Sequence, residues 1–125
     1  MSDEAKKILL IEDEPDITYL VEFILSTAGF GVQKINDSTL SIQEMLNNDY
    51  GLVLLDLMMP GMSGFEVLTA IREETKLKKL PVLILSSRQL SHEETAFLAS
   101  MNAEVMAKPF EPHRLVEKAR EMVAD

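Results

Sequence analysis

The sequence predicts an α/β protein with a doubly wound sheet of five parallel strands. Two observations support this prediction. Short, nearly all-apolar runs alternate with segments whose apolar residues recur at helical spacing. Strands that are apolar along their whole length are typical of parallel sheets with both faces covered by helices. Because crossovers between parallel strands are right-handed, five such units are expected to wind around one sheet.

The ten elements follow from these patterns and from the residues that start and stop them. Strands are predicted at residues 7–11, 32–35, 52–56, 82–85 and 104–107. Helices are predicted at residues 16–28, 41–47, 64–74, 91–100 and 112–123.

The first two units carry several boundary signals. Pro15 lies at the start of the first helix, where its missing N–H is not needed. Ser41 and Glu44 are three residues apart and predict a capping box at the second helix. Gly29 and Gly51 stand where the chain leaves these two helices.

The remaining units are bounded in the same way. The third strand ends on Asp56, and a turn rich in proline and glycine separates it from the third helix. Ser91 and Glu94 predict a capping box for the fourth helix. Pro112 suits the first turn of the last helix.

Length and composition predict one cytoplasmic domain over residues 1–125. Its core is expected at about 7–123, because the predicted elements span these residues, and no output domain is expected after the last helix. A chain of 125 residues with 46% hydrophobic residues can bury a core of its own. Neither a signal-peptide core nor an apolar stretch long enough to cross a bilayer is present, so no membrane insertion is expected. A net charge of −9 argues against direct nucleic-acid binding. The absence of cysteine excludes disulfides and thiolate sites.

Polar or charged residues follow four of the predicted strands. They are Glu12 and Asp13, Asp56, Ser86, and Lys108. The carboxyl ends of parallel strands meet at one edge of an open sheet, and ligands bind at that edge. These side chains are therefore expected to converge.

The three carboxylates predict a cation site. Glu12, Asp13 and Asp56 would repel one another unless a cation lay among them. Oxygen ligands without histidine or cysteine favour Mg²⁺ or a similar ion such as Mn²⁺, which typically borrows an oxygen from a phosphate. The backbone carbonyl of Met58 could complete the ligand set. Phosphoryl chemistry is the natural expectation.

A carboxylate at a strand end can serve as a nucleophile and become an aspartyl phosphate. The charge of a phosphoryl group in transfer is spread over its equatorial oxygens, so the site needs cations and hydrogen-bond donors. Lys108 can supply a charge for one oxygen, and the Ser86 hydroxyl can donate to another. Asp56 is then the phosphoacceptor.

Each of these residues also has an ordinary structural explanation when it is taken alone. Glu12 and Asp13 could cap the first helix, Asp56 could be a turn residue, and Lys108 could be a solvated charge. Ser86 could cap the loop that follows it. Their joint occurrence, in order, favours the functional interpretation.

Four segments resemble the receiver domain of two-component response regulators, of the small chemotaxis-regulator type. They are IEDEP from Ile11, LDLMMPGMSG from Leu55, PVLILSS from Pro81 and AKPF from Ala107. The phosphoacceptor and hydroxyl positions are 30 residues apart, and the hydroxyl and lysine positions are 22 residues apart, as is typical of receivers. The resemblance runs from about residue 7 to residue 123.

The resemblance implies a flavodoxin-like (βα)₅ fold with strand order 2-1-3-4-5 and a Mg²⁺-dependent signalling switch. Asp56 would accept phosphate from the phosphohistidine of a histidine kinase or histidine phosphotransfer protein. Asp13 would bind the metal directly, and Glu12 would help through a water or a hydrogen bond. Lys108-Pro109 is expected to be a cis peptide.

With no output domain expected, a downstream effector protein would be bound in trans, by a monomer or a phosphorylation-dependent dimer. No enzymatic activity is expected beyond self-catalysed phosphotransfer and autodephosphorylation.

Several positions are expected to modulate or read out the switch. The family usually has an aromatic residue three positions before the lysine, and here that residue is Val105. Ser87 follows the hydroxyl position, and Pro109 follows the lysine. Met58 and Arg88 occupy positions that often tune phosphate lifetime in the family. Output is therefore expected to use contacts other than an aromatic switch.

Two alternatives belong to other classes of protein. A small phosphohydrolase that forms an aspartyl phosphate would usually need a carboxylate two residues after the nucleophile, where this chain has Met58. A flavodoxin-like FMN binder would need a phosphate loop after the first strand, where Glu12 and Asp13 would repel the phosphate. His92 and His113 are interpreted as surface residues rather than ligands.

Overall fold

The computed structural model of the protein describes residues 7–123. Five strands form one parallel sheet in the order 2-1-3-4-5, which confirms the predicted fold class and topology. The strands are β1 (Lys7–Ile11), β2 (Gly31–Ile35), β3 (Leu52–Asp56), β4 (Val82–Ser86) and β5 (Ala103–Ala107). The helices are α1 (Pro15–Thr27), α2 (Ser41–Asn47), α3 (Gly64–Glu73), α4 (His92–Ser100) and α5 (Pro112–Met122).

The three central strands are buried on both faces. Leu54 of β3 is one of several strand residues with no exposed surface, and successive side chains alternate between two apolar clusters. One cluster includes Leu68 of α3 and Leu98 of α4. The other includes Leu25 of α1 and Leu115 of α5. The sheet therefore has a core on each side, as the all-apolar strands predict.

The predicted helix starts are correct in part. Ser91 and Glu94 form the predicted capping box of α4. The capping box predicted from Ser41 and Glu44 is wrong, because α2 is preceded by a 3₁₀ turn (Ser38–Leu40) and Ser41 already lies in the helix. Its hydroxyl donates instead to the carbonyl oxygen of Ser38 at 2.6 Å.

The capping box of α3 was not predicted from the sequence. The Ser63 hydroxyl accepts from the backbone N–H of Glu66 at 3.2 Å, and the Glu66 carboxylate accepts from the N–H of Ser63 at 2.9 Å. The pattern of serine and glutamate three residues apart was available in the sequence. This capping box fixes the point at which the loop after β3 becomes helical.

The turn before β5 contains a residue with positive φ that is not glycine, Asn102. Asn102 adopts a left-handed backbone with φ of 56°. Asparagine tolerates this conformation better than most residues. The strand then begins at Ala103, which pairs with Val82 of β4.

Candidate functional site

The carboxyl ends of β1, β3, β4 and β5 meet at one edge of the sheet. Asp56 is the last residue of β3 and pairs in register with Leu85 of β4. Ser86 ends β4 and pairs with Ala107 of β5, next to Lys108. The strand register thus places these predicted site residues close together at the ends of neighbouring strands.

Glu12 and Asp13 reach the same edge from the end of β1. The backbone N–H of Glu12 donates to the Ile35 carbonyl at 3.0 Å, which extends the pairing of β1 with β2 by one residue. Glu12 is 1% exposed and Asp56 is 7% exposed, whereas Asp13 is open to solvent. A buried pair of carboxylates with a third at the rim is a costly arrangement without cations.

These three carboxylates form a candidate metal site. One oxygen from each of Glu12, Asp13 and Asp56 lies within 4.8 Å of the others. Neither histidine nor cysteine belongs to the group, so the donor set fits a hard divalent cation. The carboxylate cluster therefore fits the kind of metal that the sequence predicts.

Lys108 bridges the two buried carboxylates. Its Nζ lies 3.0 Å from Oε1 of Glu12 and 3.4 Å from Oδ1 of Asp56, and its side chain is only 11% exposed. Its backbone N–H donates to the Ser86 carbonyl at 2.7 Å. The Lys108-Pro109 peptide is cis, as predicted.

Burial and charge shift the pKa values of this ion pair. Burial raises the pKa of Glu12, and the charge of Asp56 adds to that effect, although Lys108 opposes both. Burial lowers the pKa of the Lys108 ammonium, but its hydrogen bond to Glu12 and the two carboxylate charges outweigh burial and raise it. One ammonium thus partly offsets a cluster of negative charge.

The Ser86 hydroxyl is held by the loop that follows it. Ser86 is buried, and its Oγ donates to the carbonyl oxygen of Arg88 at 2.9 Å. Arg88 in turn makes a two-pronged ion pair with Glu94, with N···O distances of 2.9 and 2.6 Å. Because Glu94 is also the capping-box residue of α4, this chain of contacts runs from Ser86 to the start of α4.

The loop after Asp56 folds back closely on the end of β3. A Cβ on Gly64 would lie 2.6 Å from Cα of Leu57 and 2.7 Å from the carbonyl oxygen of Asp56, so this position needs glycine. The N–H of Gly64 donates to the Leu57 carbonyl at 2.8 Å. Met59 packs in the core, whereas the side chain of Met58 is exposed.

The predicted modulating residues lie apart from the carboxylate cluster. Val105 is 40% exposed on the edge strand β5 and lines an open cavity of about 410 Å³ together with Phe110 and Arg114. Ser87 and Pro109 are exposed at the surface. None of these three residues contacts the carboxylates of the cluster through a described hydrogen bond.

Two sets of contacts near the site were not predicted from the sequence. One is the pairing of Arg88 with Glu94, which depends on a loop conformation that the sequence does not reveal. The other involves the buried hydroxyl of Ser38, beyond the end of β2. The position of Ser38 after β2 indicates that it lies at the same edge of the sheet as the site residues, but not which loop it contacts.

The described residues contain no helix that is both long and apolar enough to cross a membrane.

A family model for the response regulator receiver domain matches residues 8–120. The chain belongs to the response regulator receiver domain family. Receiver domains of this family act in two-component systems, where they interact with histidine kinases and effectors.

Named relatives of this receiver domain are bacterial regulators. It is 37% identical over 111 residues to the uncharacterized transcriptional regulatory protein YrkP of Bacillus subtilis, covering 89% of this chain and 46% of that protein. It is 33% identical over 114 residues to the transcriptional regulatory protein CpxR homolog of Haemophilus influenzae, covering 91% of this chain and 48% of that protein. The chain spans about half the length of these curated relatives.

Solved structures of similar receivers match over nearly their whole length. The chemotaxis response regulator CheY4 of Vibrio cholerae superposes with a TM-score of 0.85 at 26% identity, covering 94% of this chain and 98% of that one. A CheY-like receiver domain protein from Methanospirillum hungatei gives a TM-score of 0.85 at 25% identity, covering 93% and 91%.

Proposed function

We propose that this receiver domain is a Mg²⁺-dependent phosphoacceptor that takes a phosphoryl group on Asp56 and thereby changes its affinity for a partner. The observation that carries the proposal is the position of Asp56, which lies 3.4 Å from the Lys108 ammonium and shares a carboxylate cluster with Glu12 and Asp13. This combination offers a nucleophile, a cation and ligands for a metal within one site.

The phosphoryl donor is proposed to be the phosphohistidine of a histidine kinase or a histidine phosphotransfer protein. A carboxylate oxygen of Asp56 forms the new bond to phosphorus, and the bond between phosphorus and the donor imidazole nitrogen breaks. The electron pair of that bond leaves with the imidazole. Lys108 stabilises one of the phosphoryl oxygens, because its ammonium already lies within ion-pair distance of Asp56.

Glu12, Asp13 and Asp56, with the backbone carbonyl of Met58, are proposed to hold the metal. Mg²⁺, or Mn²⁺ in its place, supplies positive charge that offsets the repulsion between the carboxylates and the incoming phosphoryl group. The chain itself contributes the hard oxygen ligands and keeps the two buried carboxylates in position.

The readout is proposed to start at Ser86. Its hydroxyl donates to the Arg88 carbonyl in this structure, so donation to a phosphoryl oxygen would release that carbonyl. The released loop leads to Glu94 and the start of α4 through the Arg88 ion pair. The face of the fourth and fifth βα units, which includes Val105, would then change its affinity for an effector.

An apolar surface beside the metal ligands suits the docking of a phosphodonor. Tyr19 and Phe23 of α1 are both largely exposed. Tyr19 and Leu40 line an open cavity of about 550 Å³ whose walls also include Glu12 and Asp13. A partner that packs on α1 would therefore bring its phosphohistidine close to the candidate site.

The proposal is tested by incubating the protein with Mg²⁺ and acetyl phosphate and measuring its intact mass. One added phosphoryl group per chain is expected, with none for Asp56→Asn or in the presence of a chelator. Asp49→Asn is a matched control, because Asp49 is an exposed carboxylate that lies outside the cluster. An undiminished adduct on Asp56→Asn, or no adduct on the parent protein, would overturn the assignment. Multiple turnover of a phosphomonoester would instead favour a phosphohydrolase.

A further inference from the structure

Two buried hydroxyls have no part in the site described above. Apart from the site residues Glu12, Asp56 and Ser86, the buried polar side chains in the described part of the chain are those of Ser38 and Ser41. Both serines are 0% exposed, and both lie in the connection between β2 and α2. Buried hydroxyls need partners, so their hydrogen bonds indicate what they hold together.

Ser38 is bonded to the loop that follows the phosphoacceptor. Its Oγ donates to the Met62 carbonyl at 2.6 Å and accepts from the Met62 N–H at 3.2 Å. One hydroxyl thus both donates to and accepts from the backbone of Met62, 24 positions away in sequence, and its Oγ also lies 3.5 Å from the Pro60 carbonyl oxygen. This double contact fixes the position of the loop relative to the end of β2.

The segment that carries Ser38 is itself well anchored. The Ser38 carbonyl accepts from both the N–H and the hydroxyl of Ser41. Asp37 caps the 3₁₀ turn by accepting from the N–H and the hydroxyl of Thr39. A Cβ on Gly61 would lie 3.3 Å from Cγ2 of Thr39, so the loop packs directly on this turn.

We propose that Ser38 is a positioning residue for the metal site, which rests on the proposed function above. The loop between Asp56 and Ser63 contains Met58, whose backbone carbonyl is the proposed fourth ligand. The capping box at Ser63 fixes the far end of this loop. From another element, Ser38 holds Met62 just before it and also contacts the Pro60 carbonyl oxygen at 3.5 Å. Without the Ser38 hydroxyl, the carbonyl of Met58 would be less well ordered before the metal arrives, and binding would have to order it.

The test compares Ser38→Ala with Ser41→Ala. Both variants remove one hydroxyl from an equally buried site, but only the Ser38 hydroxyl contacts the loop. Mg²⁺ affinity is measured by NMR chemical-shift titration without any phosphodonor, and amide hydrogen exchange is followed at Met62. Thermal unfolding of both variants reports their general destabilisation.

Ser38→Ala is expected to weaken Mg²⁺ binding by roughly three- to tenfold, the factor that corresponds to the net loss of one hydrogen bond. The Met62 amide should exchange faster in the metal-free protein. The Mg²⁺ concentration for half-maximal phosphorylation by acetyl phosphate should rise by a similar factor, while the rate at saturating Mg²⁺ changes less. Ser41→Ala should unfold at a lower temperature but lose less Mg²⁺ affinity than Ser38→Ala, because the Ser41 N–H still anchors the Ser38 carbonyl.

Parent-like Mg²⁺ affinity in Ser38→Ala, or an equal loss in Ser41→Ala, would overturn the positioning role while the proposed function stands. A parent protein that shows neither Mg²⁺ binding nor a phosphoryl adduct would overturn the proposed function itself. If Ser38→Ala does not fold, Ser38→Cys decides by the same criteria, because a thiol keeps the side chain's shape and is a weaker donor.

Discussion

In the described part of the chain, Lys108 is the one residue whose side chain bonds to both buried carboxylates of the site. Its Nζ contacts Glu12 and Asp56 at 3.0 and 3.4 Å, so its positive charge already offsets part of the negative charge that would attract a metal ion. With Asp13 included, the site contains three carboxylates and one ammonium group. At the scale of single residues, the site is therefore built to attract more positive charge than the chain itself provides.

Replacing Lys108 separates metal binding from phosphoryl transfer. Lys108→Met should slow phosphorylation by acetyl phosphate on the order of a hundredfold, because a charge that stabilises the phosphoryl oxygens is lost. Mg²⁺ binding should be kept or tightened, since a competing cation has been removed. Rates are followed by intact mass and Mg²⁺ affinity by NMR titration.

Lys79→Met provides the comparison for this change. Lys79 is exposed and lines a cavity with Tyr50 and Pro81, away from the carboxylate cluster, so its removal should alter neither measurement. Slow phosphorylation in Lys108→Met that is fully explained by weaker Mg²⁺ binding would contradict the role given to Lys108.

Among the five α-helices, α4 has the fewest buried residues. Leu98 is its one buried residue. Its remaining described contacts lie at its side and its two ends. The Phe97 ring lies 6.0 Å from that of Phe65 of α3, and the Arg72 guanidinium bonds to the Met101 carbonyl just after the helix at 2.7 Å. An element held mainly at its ends can shift when one end is altered.

Glu94 is the residue through which the start of α4 can be altered. Its carboxylate accepts from Arg88 and from the N–H of Ser91, so it belongs to an ion pair and to a capping box at once. Because Ser86 donates to the carbonyl of the same Arg88, a hydroxyl of the site and the first turn of α4 share one loop. This route does not pass through Val105, which explains how a receiver without an aromatic there could still couple its site to α4.

The Arg88 ion pair predicts an unusual titration of Glu94. The hydrogen bond from Arg88 and the one from the Ser91 backbone lower the pKa of Glu94 to about 2, from an ordinary value of 4.5. In Arg88→Ala the Glu94 pKa should rise towards 4.5, and Arg88→Lys should fall between, because lysine cannot make the two-pronged contact. The Glu94 carboxyl carbon shift, measured by NMR as a function of pH, gives these midpoints.

The same pair has a predictable effect on stability. A carboxylate whose pKa is lowered by folding stabilises the folded state above its ordinary pKa, and that contribution disappears as pH falls through its folded-state pKa. The stability difference between the parent and Arg88→Ala should therefore be complete above about pH 4.5 and vanish towards pH 2. A Glu94 midpoint that stays near 2 in Arg88→Ala would mean that another group holds the carboxylate.

For the molecule as a whole, the topology could be predicted because it depends on patterns that are local in sequence. The apolar run ending at Asp56 and the glycine after α1 at Gly29 reveal strand and helix boundaries without knowledge of the partner strands. The convergence of the polar strand ends could be predicted as well, because parallel strands bring their carboxyl ends to one edge of the sheet. The roles of these residues remain predictions that the proposed experiments address.

The remaining details depend on contacts between distant segments. Ser41 has the sequence pattern of a cap, but the 3₁₀ turn before it places it inside the helix. The partner of Ser38 is 24 residues away, so nothing in its neighbourhood indicates that it holds the loop after Asp56. The Arg88 pair likewise depends on how the loop after β4 is folded. Tertiary packing, rather than local propensity, decides all three.

Metal binding should raise the stability of the whole domain. The folded chain gathers Glu12, Asp13 and Asp56 into one cluster, and the unfolded chain does not, so Mg²⁺ should bind the folded state preferentially. At a hundred times its dissociation constant, Mg²⁺ should add about 2.7 kcal/mol to the free energy of unfolding. For a domain of this size that corresponds to a rise in Tm of roughly 10 °C.

Asp13→Asn separates this effect from general screening. The chain carries a net charge of −9, so any salt reduces its self-repulsion and could raise Tm to a small extent. Thermal unfolding is therefore measured in Mg²⁺ and in NaCl of equal ionic strength, for the parent and for Asp13→Asn. The rise in Tm in Mg²⁺ should exceed that in NaCl by a large amount in the parent and a small amount in Asp13→Asn, because Asp13 is the exposed proposed ligand at the rim of the cluster. An equal excess in both proteins would place the metal elsewhere on this acidic surface.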